Sequence, residues 1–438
     1  MLLALALLIS APPISAPPIS APAISAPLHV TTQLERNFLP ESGGGEVYLQ
    51  IDLVAEPSRE AARRVPVNAV LILDRSGSMS GSKLDRAREA ARALVEALGP
   101  KDRFAIVDFS DGARVLVPSS AATQEAKVAA LAAIARLQAD GGTNLSAAFE
   151  AAAPQLSEGH QQGRIDKLFL ASDGQANQGI SARPALLRLA LQLFGGATVS
   201  SFGIGEDYDE QFMTRLAVQA GGRARYVSDG AVLAQAFAQE FSRAAAAVAH
   251  DVRLDVRPVK NVQVERVLGF EVAAGGVRLP DISAGEERRV LVKLRVPPGR
   301  GTAELADINL TFRDASGKEQ KVRTSAQAQY TADAGKLDAQ QPNRITWQAA
   351  MGEMADAAAN ALKYQAENKP AEARLAEAQV QTLAAKASMS APAKAARLLQ
   401  ERASEYGLQL FRSGAGEQSA RKKLSAAAAE DSTIPANF

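Results

Sequence analysis

The stretch VNAVLILDRSGSMSGSK, residues 67–83, decides the fold prediction. Its first seven residues form a predominantly apolar run, which is typical of a strand covered on both faces. A polar loop with a glycine follows. From about Lys83, apolar residues recur at helical spacing until Gly99 and Pro100 stop the pattern. A buried strand, a polar loop and an amphipathic helix in this order predict the first unit of an α/β fold.

The same alternation continues to about residue 247. We predict strands at 103–109, 113–117, 165–171, 197–203 and 223–227, and helices at 124–137, 145–158, 182–194, 209–220 and 231–247. The strands at 103–109 and 113–117 are separated by only three residues, so they should form a hairpin. Strand–helix alternation predicts a doubly wound, mostly parallel, Rossmann-like sheet with helices on both faces.

A different pattern flanks this region. Residues 47–54 (VYLQIDLV) alternate apolar and polar positions, which predicts a strand with one buried face. Alternating segments return after His250, and we predict a β-sandwich accessory domain over 250–334. Because the early strand has no partner of its own type nearby, we expect the segment 28–66 to join that sandwich. The α/β domain, 67–249, would then be an insertion within a β domain.

The C-terminal part of the chain, 335–438, is rich in alanine and favours helix. We predict helices at 343–366, 369–388 and 392–408, with breaks at Pro370 and Pro392. A loose tail should follow beyond about residue 414.

Residues 1–27 have a composition of their own. Residues 1–9 (MLLALALLI) resemble the apolar core of a secretory signal and are too short to span a bilayer. A repeat based on Ser-Ala-Pro follows, which is typical of an extended tether. We therefore expect an exported protein, periplasmic, on the cell surface or secreted, with no other membrane-spanning segment. Whether the first segment is cleaved stays open.

The overall composition excludes several classes of function. The 438 residues include 49 basic and 48 acidic side chains, giving a formal charge of +1, so neither nucleic acid nor a polybasic membrane anchor is favoured. There is no cysteine, which excludes disulfides, thiolate catalysis and zinc–thiolate sites. The three histidines are scattered, so we expect no histidine-based centre.

Polar residues with oxygen-bearing side chains fall on three separate loops. Asp74, Ser76 and Ser78 follow the first buried strand, Thr143 precedes a helix, and Asp173 follows the strand at 165–171. Loops at the carboxyl ends of parallel strands meet at one edge of the sheet. Hydroxyl and carboxylate oxygens suit a hard cation such as Mg²⁺, with Ca²⁺ or Mn²⁺ possible, and suit zinc or copper poorly.

These five positions resemble the metal-ion-dependent adhesion site of the von Willebrand factor type A (VWA) family. The pattern there is Asp-x-Ser-x-Ser, then a Thr and an Asp on other loops, and the similarity extends over about 67–247. The resemblance implies that the two serines, and in the ligand-bound form Thr143, contact the metal directly. Asp74 and Asp173 would then act mainly through water. It also implies a protein partner whose Asp or Glu carboxylate completes the coordination shell.

Competing interpretations account for fewer of these residues. Asp74 and the serines could simply cap the following helix, but capping explains neither Thr143 nor Asp173. The stretch from Ser80 to Lys83 fits the Ser-x-x-Lys motif of some acyl-transferring enzymes, yet its partner motifs are missing. We therefore predict a cation-dependent binding module rather than an enzyme. The alternatives are an assembly partner of a AAA+ ATPase and, third, a metal-dependent hydrolase.

Overall fold

The computed structural model describes residues 27–57, 64–205, 208–227, 230–272, 275–340, 344–389 and 391–414. The signal-like segment and the repeat predicted before residue 27, and the loose tail predicted beyond 414, lie outside the described residues. Within the described ranges, no helix is both long enough and apolar enough to cross a membrane.

The first described strands belong to a β sandwich. They are β1 (Leu28–Leu34), β2 (Phe38–Pro40) and β3 (Gly45–Ala55). In β3, the apolar positions from Val47 to Leu53 are fully buried, as the alternating pattern predicts. β1 pairs with β3 in antiparallel register, from Leu28 opposite Ala55 to Leu34 opposite Leu49.

The α/β domain follows. Its elements are β4 (Val67–Asp74), α1 (Ser82–Ala97), β5 (Arg103–Phe109), β6 (Ala113–Ala121), α2 (Gln124–Ala135), α3 (Leu145–Gly159), β7 (Ile165–Ser172), α4 (Arg183–Leu193), β8 (Thr198–Ile204), α5 (Glu210–Gln219), β9 (Ala224–Val227) and α6 (Gly230–Ala245). The sheet order is β6-β5-β4-β7-β8-β9, and only β6 runs antiparallel to its neighbour.

Strand β4 lies at the centre of this sheet. All eight of its residues are buried, because α1, α2 and α6 cover one face and α3, α4 and α5 cover the other. β4 pairs in parallel with β5 on one side and with β7 on the other. The carboxyl ends of β4 and β7 therefore lie side by side, at Asp74 and Ser172.

The chain then returns to the sandwich. The remaining strands are β10 (Ala247–Pro258), β11 (Gln263–Val267), β12 (Val277–Leu279), β13 (Ile282–Ser283), β14 (Glu287–Val296), β15 (Thr302–Asp314) and β16 (Glu319–Thr331). One sheet has the order β1-β3-β14-β11; the other has the order β12-β10-β15-β16-β2, with β13 also on β10. β3 pairs with β14 along ten residues, so strands from both sides of the α/β domain form one sheet.

The junction between the α/β domain and the sandwich differs slightly from the prediction. Helix α6 ends at Ala245, and β10 already begins at Ala247. Residues 247–249, expected in the α/β domain, therefore belong to a sandwich strand. The local sequence is a run of alanine and valine, whose helical and extended forms are not distinguished by periodicity. Pairing of Ala247 and Ala249 with β13 settles the extended form.

The C-terminal helices are α7 (Ala334–Asp338), α8 (Arg344–Ala366), α9 (Pro370–Ser388) and α10 (Ala393–Gly414). The last one continues six residues beyond its predicted end. Helices α8, α9 and α10 share an apolar core built largely from alanine. Ile345 and Ala349 of α8 also pack against Leu268 and Leu291, which fixes the helical region to the sandwich.

Candidate metal centre

Asp74 ends the central strand and is fully buried. Its Oδ1 accepts a hydrogen bond from the Ser76 backbone N–H at 2.8 Å, and its Oδ2 accepts one from Ser172 Oγ at 2.5 Å. Burial raises the pKa of the Asp74 carboxyl, and the nearby charge of Asp173 acts in the same direction. A cation close to this carboxylate would stabilise its buried negative charge.

Ser76 and Ser78 lie on the turn after β4, where Gly77–Met79 forms a short 3-10 helix. Their Oγ atoms are 3.1 Å apart. Ser76 is buried, whereas Ser78 is exposed at the edge of the sheet. Ser78 Oγ donates a hydrogen bond to Asp173 Oδ1 at 2.7 Å. This contact joins the first loop to the third across 95 positions of sequence.

Thr143 lies on the second loop and is buried. Its backbone N–H donates to Asn177 Oδ1 at 2.8 Å. A Cβ built on Gly174 would lie 3.0 Å from Thr143 Oγ1, so the hydroxyl lies beside the third loop. The second loop is also attached to the first, because the Gly77 N–H donates to the Gly141 carbonyl at 2.9 Å.

Both glycines of the second loop are required, one by its backbone conformation and the other by the nearby side chains. Gly141 has φ +71°, a left-handed conformation that favours glycine. A Cβ on Gly142 would lie 2.7 Å from Asn177 Oδ1, inside the contact limit. The N–H of Gly142 donates to Asp111 Oδ1 at 2.6 Å. Asp111 on the β5–β6 hairpin and Asn177 thus hold the segment that carries Thr143.

Asp173 directly follows β7 and is fully buried. Its Oδ1 accepts from Ser78 Oγ, and its Oδ2 accepts from Lys83 Nζ at 2.5 Å. Lys83 lies in the first turn of α1. The lysine predicted as part of a Ser-x-x-Lys motif is therefore paired with a carboxylate. The serine of that motif, Ser80, donates to the Gly77 carbonyl at 2.7 Å.

The five residues singled out from the sequence all lie at the carboxyl edge of the central sheet or on the loops there. Four further residues hold them in place, and the sequence did not indicate this role for any of them: Lys83, Asp111, Ser172 and Asn177. Ser172 could have been found, because it immediately precedes Asp173 at the end of a buried strand. Asp111 and Asn177 carry no local signal, since their partners are more than thirty positions away.

The donor chemistry of this edge fits a hard divalent cation. The candidate ligands are the carboxylates of Asp74 and Asp173 and the hydroxyls of Ser76, Ser78 and Thr143, so every candidate ligand atom is oxygen. Across the part of the chain that the structure describes, no three His, Cys, Asp or Glu side chains cluster as a metal site would need. Coordination here would therefore depend on hydroxyls as well as carboxylates.

Comparison with known proteins identifies the domain that carries these loops. A family model for the von Willebrand factor type A domain matches residues 68–239. The chain contains a von Willebrand factor type A domain. Such VWA domains are generally protein-interaction modules, and they often bind a divalent metal at the motif that Asp74, Ser76 and Ser78 match.

A solved structure extends the likeness beyond the VWA domain. The solved structure of von Willebrand factor type A from Catenulispora acidiphila is 22% identical in sequence, with a TM-score of 0.73, and the match covers 93% of this chain and 97% of that one. At this identity the likeness shows the fold alone. It confirms the predicted fold class, an α/β VWA domain with additional sheets and C-terminal helices.

Two relatives show how far the sequence similarity reaches. Protein YfbK of Escherichia coli (strain K12) is 27% identical over 304 residues, which is 63% of this chain and 52% of that protein. Human inter-alpha-trypsin inhibitor heavy chain H4 is 33% identical over 194 residues, 40% of this chain and 20% of that protein. This chain therefore spans about half of the length of the bacterial relative and a smaller part of the human one.

Proposed function

We propose that this protein is a divalent-cation-dependent protein-binding module for adhesion or assembly. In this proposal, Asp74, Ser76, Ser78, Thr143 and Asp173 hold Mg²⁺, with Ca²⁺ or Mn²⁺ as alternatives. A cation held there would supply a positively charged coordination position for a carboxylate oxygen of a protein partner. The VWA domain, from β4 to α6, would carry the site. The β sandwich and the C-terminal helices would support it.

One observation carries the proposal: all four oxygens of the two carboxylates already accept hydrogen bonds. Asp74 receives them from Ser76 N–H and Ser172 Oγ, and Asp173 from Ser78 Oγ and Lys83 Nζ. These protein donors compete with a cation for the carboxylate oxygens, so we assign direct coordination to the neutral hydroxyls, with the carboxylates acting at longer range. Ser78 shows the required orientation: it donates its proton to Asp173 and can only accept from Ser76 Oγ, which leaves one lone pair for a cation.

Neutral direct ligands have a consequence for the partner. They leave most of the ion's charge in place, so an anionic oxygen from outside is attracted strongly. Mg²⁺ also retains several waters when protein ligands are few, and these can be replaced by a carboxylate. Ser78 is exposed, so the side of the site that it lines is accessible to another protein. An Asp or Glu side chain of the partner fits these conditions.

We propose that the site binds a partner and catalyses no reaction. Metal-assisted hydrolysis needs a general base beside the attacking water. The carboxylates of the site are engaged by protein donors, and Lys83 is engaged by Asp173. We also propose that the protein is exported, on the basis of the signal-like sequence at residues 1–9.

The experiment is selection of peptides on the purified protein from a random displayed library in the presence of Mg²⁺. We expect the enriched peptides to share an Asp or Glu, and to lose binding when that residue is changed to Asn or Gln. Binding should also be lost in EDTA and with Ser78→Ala, while the exposed control Ser157→Ala binds normally. Enriched peptides without a carboxylate, or binding that persists in EDTA, would overturn the proposal.

A further inference from the structure

Lys83 has an unusual position for a basic residue. It lies in the first turn of α1, where the helix dipole disfavours a positive charge. Its Nζ lies 2.5 Å from Asp173 Oδ2, and the Asp173 side chain is 0% exposed. The aliphatic part of Lys83 passes Gly205 at the end of β8, where a Cβ would lie 3.1 Å from Lys83 Cε. The side chain is thus directed into the candidate metal centre.

The ammonium group changes the charge of that centre. Three ionisable groups are connected there by hydrogen bonds among the described residues: Asp74 and Asp173 through the serines, and Lys83 through Asp173. With a divalent cation added, this set carries one net positive charge. Without the lysine it would be neutral. At separations of a few ångströms in a partly buried site, one unit of charge alters the binding of any ion by kilocalories.

We propose that Lys83 tunes the centre, lowering its affinity for the metal and raising the affinity of the metal-loaded form for an anionic partner. This inference rests on the proposed function and adds the residue that sets the balance between the two affinities. Lys83 repels the incoming cation and occupies Asp173 Oδ2, which opposes metal binding. The same positive charge attracts the carboxylate that completes the shell. The two affinities therefore respond to Lys83 in opposite directions.

The test measures both affinities on the full-length protein. Mn²⁺ is titrated with water-proton relaxation as the readout, and acetate is then titrated onto the Mn²⁺-loaded protein, where displacement of metal-bound water reverses the signal. Lys83→Met retains the aliphatic chain beside Gly205 and removes the charge. Lys83→Arg retains the charge. Lys101→Met makes the same chemical change at an exposed lysine before β5, at the opposite edge of the sheet.

We expect Lys83→Met to bind Mn²⁺ about tenfold more tightly and acetate about tenfold more weakly than the wild type. Lys83→Arg and Lys101→Met should resemble the wild type in both. If Lys83→Met matches Lys101→Met, or if both affinities fall together, the tuning role is wrong while the metal site stands. If the wild type itself binds no Mn²⁺, the proposed function fails, and this inference fails with it.

Discussion

Lys167 Nζ lies 2.8 Å from Glu240 Oε1, and both side chains are almost completely buried beneath the central sheet. Lys167 is on β7 and Glu240 is on α6. Ser200 Oγ also donates to Glu240 Oε1, at 2.9 Å. Burial alone would raise the pKa of Glu240, but Lys167 and Arg223 lower it below its ordinary value. This pair attaches the last helix of the VWA domain to the strand that leads to Asp173.

Glu240→Gln should destabilise the protein by about 3 kcal/mol, because it leaves the buried Lys167 ammonium with only the more distant Asp281 carboxylate, at 4.0 Å. The measurement is the free energy of unfolding in urea. Glu158→Gln is the control: Glu158 is 59% exposed and 3.8 Å from Arg103, and its loss should cost less than about 0.5 kcal/mol. Equal losses of unfolding free energy in the two variants would show that the buried pair contributes no more to stability than an exposed ion pair.

Asp74→Asn should raise the stability of the metal-free protein and abolish the stability gained from Mg²⁺. In EDTA we expect stability to rise by about 1 kcal/mol, because a buried charge is removed while Ser76 N–H and Ser172 Oγ keep partners. In Mg²⁺ the gain in thermal stability that the wild type shows should disappear, since one carboxylate of the site is lost. Thermal unfolding in EDTA and in Mg²⁺ tests both. A variant that still gains stability from Mg²⁺ would contradict the role given to Asp74.

Asn177→Ala should weaken Mg²⁺ binding by about tenfold, without touching any proposed ligand side chain. Asn177 Oδ1 accepts from the Thr143 backbone N–H, so its loss frees the loop that carries the threonine. Calorimetric titration with Mg²⁺ measures the effect. Gln192→Ala, at an exposed position of α4, serves as the control. Unchanged affinity in Asn177→Ala would mean that the loop keeps its shape without this bond.

His250 should make stability depend on pH near neutrality. Burial lowers the pKa of His250, although Asp281 and Asp251 act in the opposite direction; Arg313 also lowers it, and the Asp314 backbone raises it. The unfolded chain then binds a proton more readily than the folded one. The contribution to stability is therefore complete above about pH 6.5 and is lost as the pH falls towards the folded-state value.

Urea unfolding at pH 7.5 and at pH 5.5 measures this dependence. We expect the wild type to lose stability between the two, and His250→Gln to lose less over the same interval. An identical loss in both proteins would place the titrating group elsewhere.

The sequence predicted the central part of the fold because its signals are local. The run from Val67 to Leu73 is buried on both faces in the structure, as such a run predicts. Short sandwich strands such as β12 and β13 were not predicted, because two or three residues carry no measurable period. Their extended form comes from pairing with β10.

The candidate site likewise has one part that the sequence predicts and one part that it does not. Asp74, Ser76 and Ser78 form a compact motif that the sequence displays directly. The pairing of Lys83 with Asp173 could not be predicted, because the two residues are 90 positions apart and meet only when α1 packs on the sheet. What the structure adds is therefore the set of donors that engages both carboxylates.

The proposed function requires a cation held by hydroxyl groups at the carboxyl edge of the sheet. The most direct measurement is anomalous X-ray scattering from crystals of the protein grown with Mn²⁺. We expect one strong peak at bonding distance from Ser76 Oγ and Ser78 Oγ, with Thr143 Oγ1 facing it and Asp74 and Asp173 beyond the bonding distance. A peak bonded to both carboxylates and to neither serine, or no peak at this edge of the sheet, would contradict it.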